Sequence, residues 1–337
     1  MEYRNLGRTG VKVSPLCLGT MLFGRTVEAA QAVPIIEAAL ANGINFLDTA
    51  DGYAAGESER IVGKALATNA RREKTILATK VFFPQDPDDP NSRGISRRHI
   101  IEGCEHSLRR LNTDWIDLYQ LHRPQSDIPI DESLRALDDL ITAGKVRYIG
   151  TSMFPAWKTV ESLWASRELG LNRFVCEQPT YNLLDRTAER EVIPAAISFG
   201  LGLISWGPLC GGLLSGKYSR HDQSAEGRWQ GGRDNFDRAA TPEAYDVIET
   251  LVGIAAEKGC TPSQLALAWN AGQAGITAAI AGPRTKDQLV DNLGALEVEV
   301  TDEDRARLDE VAPPLSISVR YYDAALALDF KPNRLRW

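Results

Sequence analysis

Cysteine is scarce and badly placed for cross-linking. The 337 residues include only five, Cys17, Cys104, Cys176, Cys210 and Cys260, and no two form a C-x-x-C pair. That odd, scattered set excludes a disulfide framework or a zinc knuckle, so no metal is expected, and it suits a reducing cytosol. Basic charge is also short: 38 Lys and Arg face 45 Asp and Glu, for a net charge of −7. A nucleic-acid surface would need a basic face, whereas a small basic site for an anionic cofactor remains compatible with this balance. No apolar run approaches the roughly 20 residues that span a bilayer. The opening Met1-Glu2-Tyr3-Arg4-Asn5 lacks the apolar core of a signal peptide. These absences predict a cytoplasmic protein with neither a membrane nor a nucleic-acid partner. Linkers, repeats and low-complexity tracts are missing too, so one domain over 1–337 is expected.

Hydrophobic residues make up 43% of the chain, enough for a large core. Short apolar strands are predicted near 16–19, 44–48, 75–80, 115–121, 146–151, 173–177, 201–206 and 277–281. Helical patterns lie between them at 27–42, 57–68, 96–111, 131–143, 157–169, 187–199, 243–258 with 261–272, and 285–294. Ser96, Asp131 and Thr261-Pro262 read as helix starts. Asn42-Gly43, Ala143-Gly144 and Phe199-Gly200 read as helix ends. The cluster Gly7-Arg8-Thr9-Gly10 predicts an N-terminal β-hairpin, a lid for the lower end of a barrel. Eight alternating strand–helix units specify a (β/α)8 TIM barrel. An open doubly wound sheet would carry G-x-G-x-x-G in its first turn, where this chain has Gly19-Thr20-Met21-Leu22-Phe23-Gly24.

Three predicted strands end in polar residues. Asp48 and Tyr53 follow one, Lys80 the next and His122 the third, at intervals of 32 and 42 residues. A parallel barrel gathers C-terminal strand ends on one face, where barrel active sites lie. A phenol there can give a proton to a carbonyl oxygen. A free tyrosine holds its proton to about pH 10, and a nearby ammonium stabilises the phenolate. Lys80 supplies that charge, Asp48 fixes Lys80, and His122 donates to or orients the substrate oxygen. General acid catalysis of this kind is worth roughly 10²–10⁴-fold.

The cofactor argument rests on two other segments. Trp206-Gly207-Pro208-Leu209-Cys210-Gly211-Gly212 follows the seventh strand and leads to Lys217. Its small residues let backbone N–H groups approach a pyrophosphate, and Trp206 can stack on a flat ring. Gly282-Pro283-Arg284-Thr285 follows the eighth strand and opens a helix. Barrel phosphate sites form at these loops, and Arg284 suits a 2′-phosphate.

Longer motifs then carry a resemblance. Asp48-Thr49-Ala50-Asp51-Gly52-Tyr53, Leu121-His122-Arg123-Pro124, Gly144 to Ser152 and Gln178 to Arg186 look like aldo-keto reductase signatures, in that family's order. The Tyr181-Asn182-Leu183-Leu184 run and the Trp206 segment resemble the branch holding bacterial general reductases and potassium-channel β-subunits. The resemblance implies an NADP(H)-dependent reductase of small carbonyl compounds, with Asp48, Tyr53, Lys80 and His122 as its tetrad. It implies that Ser152 and Gln178 hold the nicotinamide carboxamide, with Trp206 against the ring. Leu209, Gly211 and Lys217 would line the pyrophosphate, and Arg284, Gln288, Asp291 and Asn292 the adenosine phosphate end. Two positions depart from it: Met153 stands where many members have Asn, and Asp291 where they often have Glu. The same branch implies an alternative, a cofactor-sensing subunit with slow turnover, and family analogy allows a homo-oligomer.

Substrate choice is assigned to residues 83–95, 219–240 and the tail from Pro313. Phe82, Phe83, Trp229, Tyr321, Tyr322 and Trp337 either form an aromatic pocket or pack the loops onto the barrel.

Overall fold

Short apolar strands and the helices between them close on themselves in this chain. The structure, a computed structural model, describes residues 1–68, 70–221 and 241–319. Strands β1 (Arg4–Asn5) and β2 (Lys12–Val13) form an antiparallel hairpin. Then come β3 (Leu16–Gly19), β4 (Phe46–Asp48), β5 (Ile76–Val81), β6 (Ile116–Leu121), β7 (Val146–Ser152), β8 (Cys176–Gln178), β9 (Gly202–Ser205) and β10 (Ile276–Ala281). Each pairs in parallel with the next, and β10 pairs back onto β3 to close the eight-stranded barrel. All eight predicted barrel strands are present, and the fold is the expected (β/α)8 barrel.

The hairpin plugs the lower end. Its Leu6 and Val13 pack in one buried cluster with Cys17, Phe46, Ala78, Leu118, Cys176, Ile204 and Ala278 from inside the barrel. Gly7, at φ +56°, makes this possible: a Cβ there would lie 2.6 Å from the Gly202 nitrogen. A larger apolar shell, including Ile36, Val62, Leu134 and Leu251, sits between the strands and the surrounding helices.

The helices are α1 (Ala29–Ala41), α2 (Glu57–Leu66), α3 (Arg97–Leu111), α4 (Ile130–Thr142), α5 (Ala156–Leu169), α6 (Val192–Phe199), α7 (Pro242–Lys258), α8 (Pro262–Ala271), α9 (Lys286–Leu293) and α10 (Asp302–Val311). Ser96 caps α3, and Thr261 forms a capping box with Gln264 at α8. Asp131 is not a cap: α4 starts one residue earlier, so its carboxylate lies in the first turn and complements the helix dipole. The helix expected at 187–199 is divided into a 3₁₀ turn, Thr187–Glu189, and α6. Pro194 has no N–H to donate and fits a first turn, where none is needed; the helix begins at Val192. Helix α10 was not among the predicted patterns. It is capped by Thr301 and Asp304 and docks on α7 through Lys258–Asp304 and Arg307–Glu257. Among the described residues, no helix is long and apolar enough to cross a membrane.

Candidate active site

The site grows out of strand periodicity. Alternate residues of a strand share a face, so two places beyond the apolar Phe46, Ala78, Leu118 and Cys176 the same inward face carries Asp48, Lys80, Gln120 and Gln178. All four polar residues are buried, and Lys80 and Gln120 are neighbours in the β5–β6 register.

Lys80 is the hub. Its Nζ donates to Asp48 Oδ1 at 2.5 Å, to the Thr49 carbonyl at 2.9 Å and to Tyr53 Oη at 3.1 Å. Burial pulls the Lys80 ammonium down, but the charges and hydrogen bonds of Asp48 and Tyr53 carry it above the usual lysine value. The second Asp48 oxygen accepts from Gln178 Nε2 at 3.0 Å and Gln120 Nε2 at 3.2 Å. A buried carboxylate with three donors is fully paired, as a charge out of water must be.

Tyr53 is presented by a distorted turn. Residues Tyr53–Gly56 form a short 3₁₀ segment in which Ala54 (φ 49°) and Ala55 (φ 52°) are both left-handed. Each such residue costs about 1–2 kcal/mol, and backbone strain of this kind collects at functional sites. The Tyr53 ring meets His122 edge to face at 5.7 Å, and His122 meets Phe83 at 5.0 Å. Burial, followed by the charges of Lys80 and Arg123, holds the His122 imidazole well below the usual histidine range. It is therefore neutral, and its Nδ1 is buried without a hydrogen-bond partner among the described residues. Phe83 also lies against Gly52, where a Cβ would come within 2.8 Å of its ring. The 83–95 loop is tied by Asp86 and Asp89, which accept from the backbone of Asp88 and Asn91, and by Gln85 N to the Ser92 carbonyl.

Behind this face lies a second carboxylate group. Asp51 is buried, accepts from Phe82 N at 3.4 Å through Oδ2, and leaves Oδ1 without a partner among the described residues. Burial and then the Glu59 charge push Asp51 up to about 8. Glu59 itself accepts from Arg110 Nε and from Thr79 Oγ1, both at 2.6 Å. Of the other histidines, His99 is buried, and desolvation lowers it to about 4. His221 is exposed.

The other expected contacts fall into two groups. Ser152, at the end of β7, donates to the Gln178 carbonyl at 3.0 Å, next to the layer just described. Trp206 follows β9, and its Nε1 donates to Met153 Sδ at 3.1 Å. After it, Gly207 accepts from Asn182 Nδ2 at 3.0 Å. Pro208 and Leu209 lead into a turn in which Gly211 and Gly212 both have positive φ. Lys217 belongs to this loop, and Arg284 follows Gly282 after β10; burial, followed by the Arg284 charge, lowers the Lys217 ammonium. Two cations on the loops after β9 and β10 suit an anionic group at that end. Gln288 accepts from Arg284 N at 2.8 Å and holds the start of α9. Asn292 is buried. Asp291 is drawn the other way, to Thr261 Oγ1 at 3.1 Å and Gln264 Nε2 at 3.0 Å.

Gln120, Asn182 and Asp51 are the residues that sequence reasoning did not single out. A signal existed for Gln120, a polar side chain two places before His122 and so on the same face of its strand.

The chain is similar to known proteins along most of its length. The chain is 42% identical to "Uncharacterized oxidoreductase YrpG" of Bacillus subtilis, over 93% of this chain and 96% of that protein. It is 36% identical to a "Probable voltage-gated potassium channel subunit beta" of Oryza sativa, and 35% to one of Arabidopsis thaliana, each over 88% of this chain and 92% of the relative. Residues 15–313 match the Aldo/keto reductase family, an oxidoreductase family whose members generally use NAD(P)H. On that match, and with an eight-stranded barrel whose inward polar layer joins Asp48, Lys80 and Tyr53, the chain belongs to the aldo/keto reductase family.

Proposed function

We propose that this oxidoreductase reduces aldehydes and ketones to alcohols with NADPH, and that Tyr53 is the proton donor. The observation that carries the reading is the Lys80 ammonium, wholly buried, clamped by Asp48 and Thr49 and within 3.1 Å of the Tyr53 hydroxyl. Reduction of a carbonyl takes one hydride on carbon and one proton on oxygen, and NADPH supplies the hydride when bound. Tyr53 Oη gives its proton to the carbonyl oxygen, and the phenolate left behind faces the fixed Lys80 charge. Asp48 keeps Lys80 in place. His122, neutral in its buried setting, offers the carbonyl oxygen an N–H without adding a second positive charge. Solvent then restores the Tyr53 proton, so each turnover consumes one NADPH and one proton.

Ser152 and Gln178 are the residues that would hold the nicotinamide carboxamide, with Trp206 against the ring. The loop from Gly207 to Lys217 would take the pyrophosphate. The preference for NADPH over NADH is supported by Arg284, exposed beside Lys217, where a 2′-phosphate would relieve the repulsion of two like charges. Asn292 and Gln288 would complete that end. Asp291, engaged by Thr261 and Gln264, would act through the helix start.

The test is NADPH oxidation across aromatic, aliphatic and phosphorylated aldehydes, with dinucleotide binding followed by fluorescence. Tyr53→Phe should lose about 10²–10⁴-fold in turnover and bind NADPH like wild type. Undiminished turnover in Tyr53→Phe would remove Tyr53 as donor. The names of the two plant relatives favour a second reading, a cofactor-binding subunit that turns over slowly. NADPH binding by wild type with no turnover on any carbonyl, together with a stable specific complex, would select it.

A further inference from the structure

The Asp48 carboxylate draws a second amide, that of Gln120, into the site beside Gln178. Gln120 Nε2 donates to Asp48 Oδ2 at 3.2 Å, Gln178 Nε2 donates to the same oxygen at 3.0 Å, and Gln178 Nε2 also donates to Gln120 Oε1 at 3.2 Å. Asp48, Gln120 and Gln178 thus form a closed triangle, with Lys80 on the free corner of the carboxylate. Gln120 is completely buried and is the β6 neighbour of Lys80. A leucine would fill its space without an amide to satisfy, and a buried amide is costly unless bonded.

The triangle also settles which way Gln178 faces. An ionised carboxylate only accepts, so Gln178 must turn its nitrogen to Asp48. Gln120 Oε1 takes the second N–H of the same nitrogen. Both donors of Gln178 are then occupied, and its carbonyl oxygen is the end left to receive an N–H from a carboxamide.

We propose that Gln120 is a positioning residue: it locks the orientation of Gln178 and couples it, through Asp48, to Lys80 and Tyr53. The inference rests on the reductase reading for what Gln178 holds, but the triangle itself acts on Tyr53 whether or not a dinucleotide is bound. Without the Gln120 amide, Gln178 loses its second anchor and can rotate. Asp48 loses one donor, so its negative charge weighs more heavily on Lys80. The positive field at Tyr53 falls, and the phenolate is less stabilised.

Two measurements on Gln120→Leu test this, with Gln120→Met as a second variant of similar length. The first is the Kd for NADPH from fluorescence titration. The second is the tyrosinate absorbance of the dinucleotide-free protein against pH, with the Tyr53→Phe curve subtracted to isolate Tyr53. Loss of one anchoring hydrogen bond should weaken NADPH binding by about three- to tenfold. Loss of a donor to the neighbouring carboxylate should move the Tyr53 titration upward by about half a pH unit or more. In a Gln178→Leu background, adding Gln120→Leu should weaken binding little further, because the triangle is already open; a purely space-filling Gln120 would give additive losses. An unchanged Tyr53 titration and an unchanged Kd in both Gln120 variants would overturn the proposal. Wild-type protein that binds no dinucleotide would instead remove the cofactor reading, and the Tyr53 titration alone would then decide for or against Gln120.

Discussion

Four strands of the barrel present the same inward face twice. The lower level is Phe46, Ala78, Leu118 and Cys176, and two residues further along the level above is Asp48, Lys80, Gln120 and Gln178. Both levels are almost completely shielded from water, yet burial has opposite meanings in them. For the lower level burial is itself the stabilisation, about 1.5–3 kcal/mol for a large apolar side chain. For the upper level burial is a cost, met by giving every charge and amide a partner. One level therefore holds the barrel together, and the other holds a geometry ready for chemistry.

The sharpest test of this division sets Tyr53→Phe beside Phe46→Ala. The first should lose activity as stated above with little change in melting temperature, since Tyr53 is only half-buried. The second should cost about 3–5 kcal/mol of stability, while each molecule still folded keeps its turnover. Denaturant unfolding with kinetics on the same samples reads both. A Phe46→Ala protein that kept its stability but lost catalysis would break the comparison.

Lys80→Met crosses the two levels. It removes the ammonium beside Tyr53, so turnover should fall at least as far as in Tyr53→Phe. It also leaves Asp48 as an uncompensated buried charge, and breaking a buried pair in this way costs about 3–5 kcal/mol. Adding Asp48→Asn should recover much of the stability and none of the activity. Recovery of both would mean that the ion pair serves the fold alone.

Asp51 tests what happens when a polar group near the upper level lacks full pairing. Its ordinary value is about 4, and burial with the Glu59 charge raises it to about 8 in the folded state. The folded protein therefore keeps a proton that the unfolded chain releases. Stability tied to this group is complete below about pH 4 and is lost as pH rises toward about 8. Asp51→Asn imitates the protonated carboxyl and should remove that decline. It should melt at a higher temperature than wild type at pH 8, with a gain of about 1–3 kcal/mol. Parallel stability–pH curves for the two proteins would show that Asp51 is ionised throughout.

How much of this was legible without coordinates follows from the same two-residue period. Asp48, Lys80 and His122 announce themselves because each closes an apolar run, and the strand spacing alone places them on one face. Gln120 shares the face of His122 but lies inside its strand, and only the register with Lys80 shows which group it serves. His99 lies among charged neighbours on α3, a surface pattern, but helical phase turns its ring inward. Helix α10 hid in a segment dominated by Asp, Glu and Arg, and only its Thr301–Asp304 cap marked a start. Loop 83–95 owes its path to side chain–backbone bonds from Asp86 and Asp89, which composition does not reveal. Residues 222–240 and 320–337, with Trp229, Tyr321, Tyr322 and Trp337, lie outside the described residues.

The smallest expected effect concerns Met153, where the polar level gives way to a sulfur contact. Met153 is left-handed, at φ 61°, and accepts the Trp206 indole N–H at 3.1 Å. A left-handed non-glycine residue costs about 1–2 kcal/mol, less for asparagine, whose short polar side chain bonds locally. The sulfur–aromatic contact returns about 0.3–1.5 kcal/mol, so the two nearly balance. Met153→Asn should therefore leave stability within about 1 kcal/mol of wild type. It should also add an amide beside Ser152 and Gln178 and tighten NADPH binding by about two- to tenfold. Met153→Leu keeps the strain and removes the acceptor, so it should change Trp206 fluorescence and gain no affinity. If Asn and Leu altered binding equally, the side-chain amide would be irrelevant. Met153 would then matter only as the residue against which Trp206 rests.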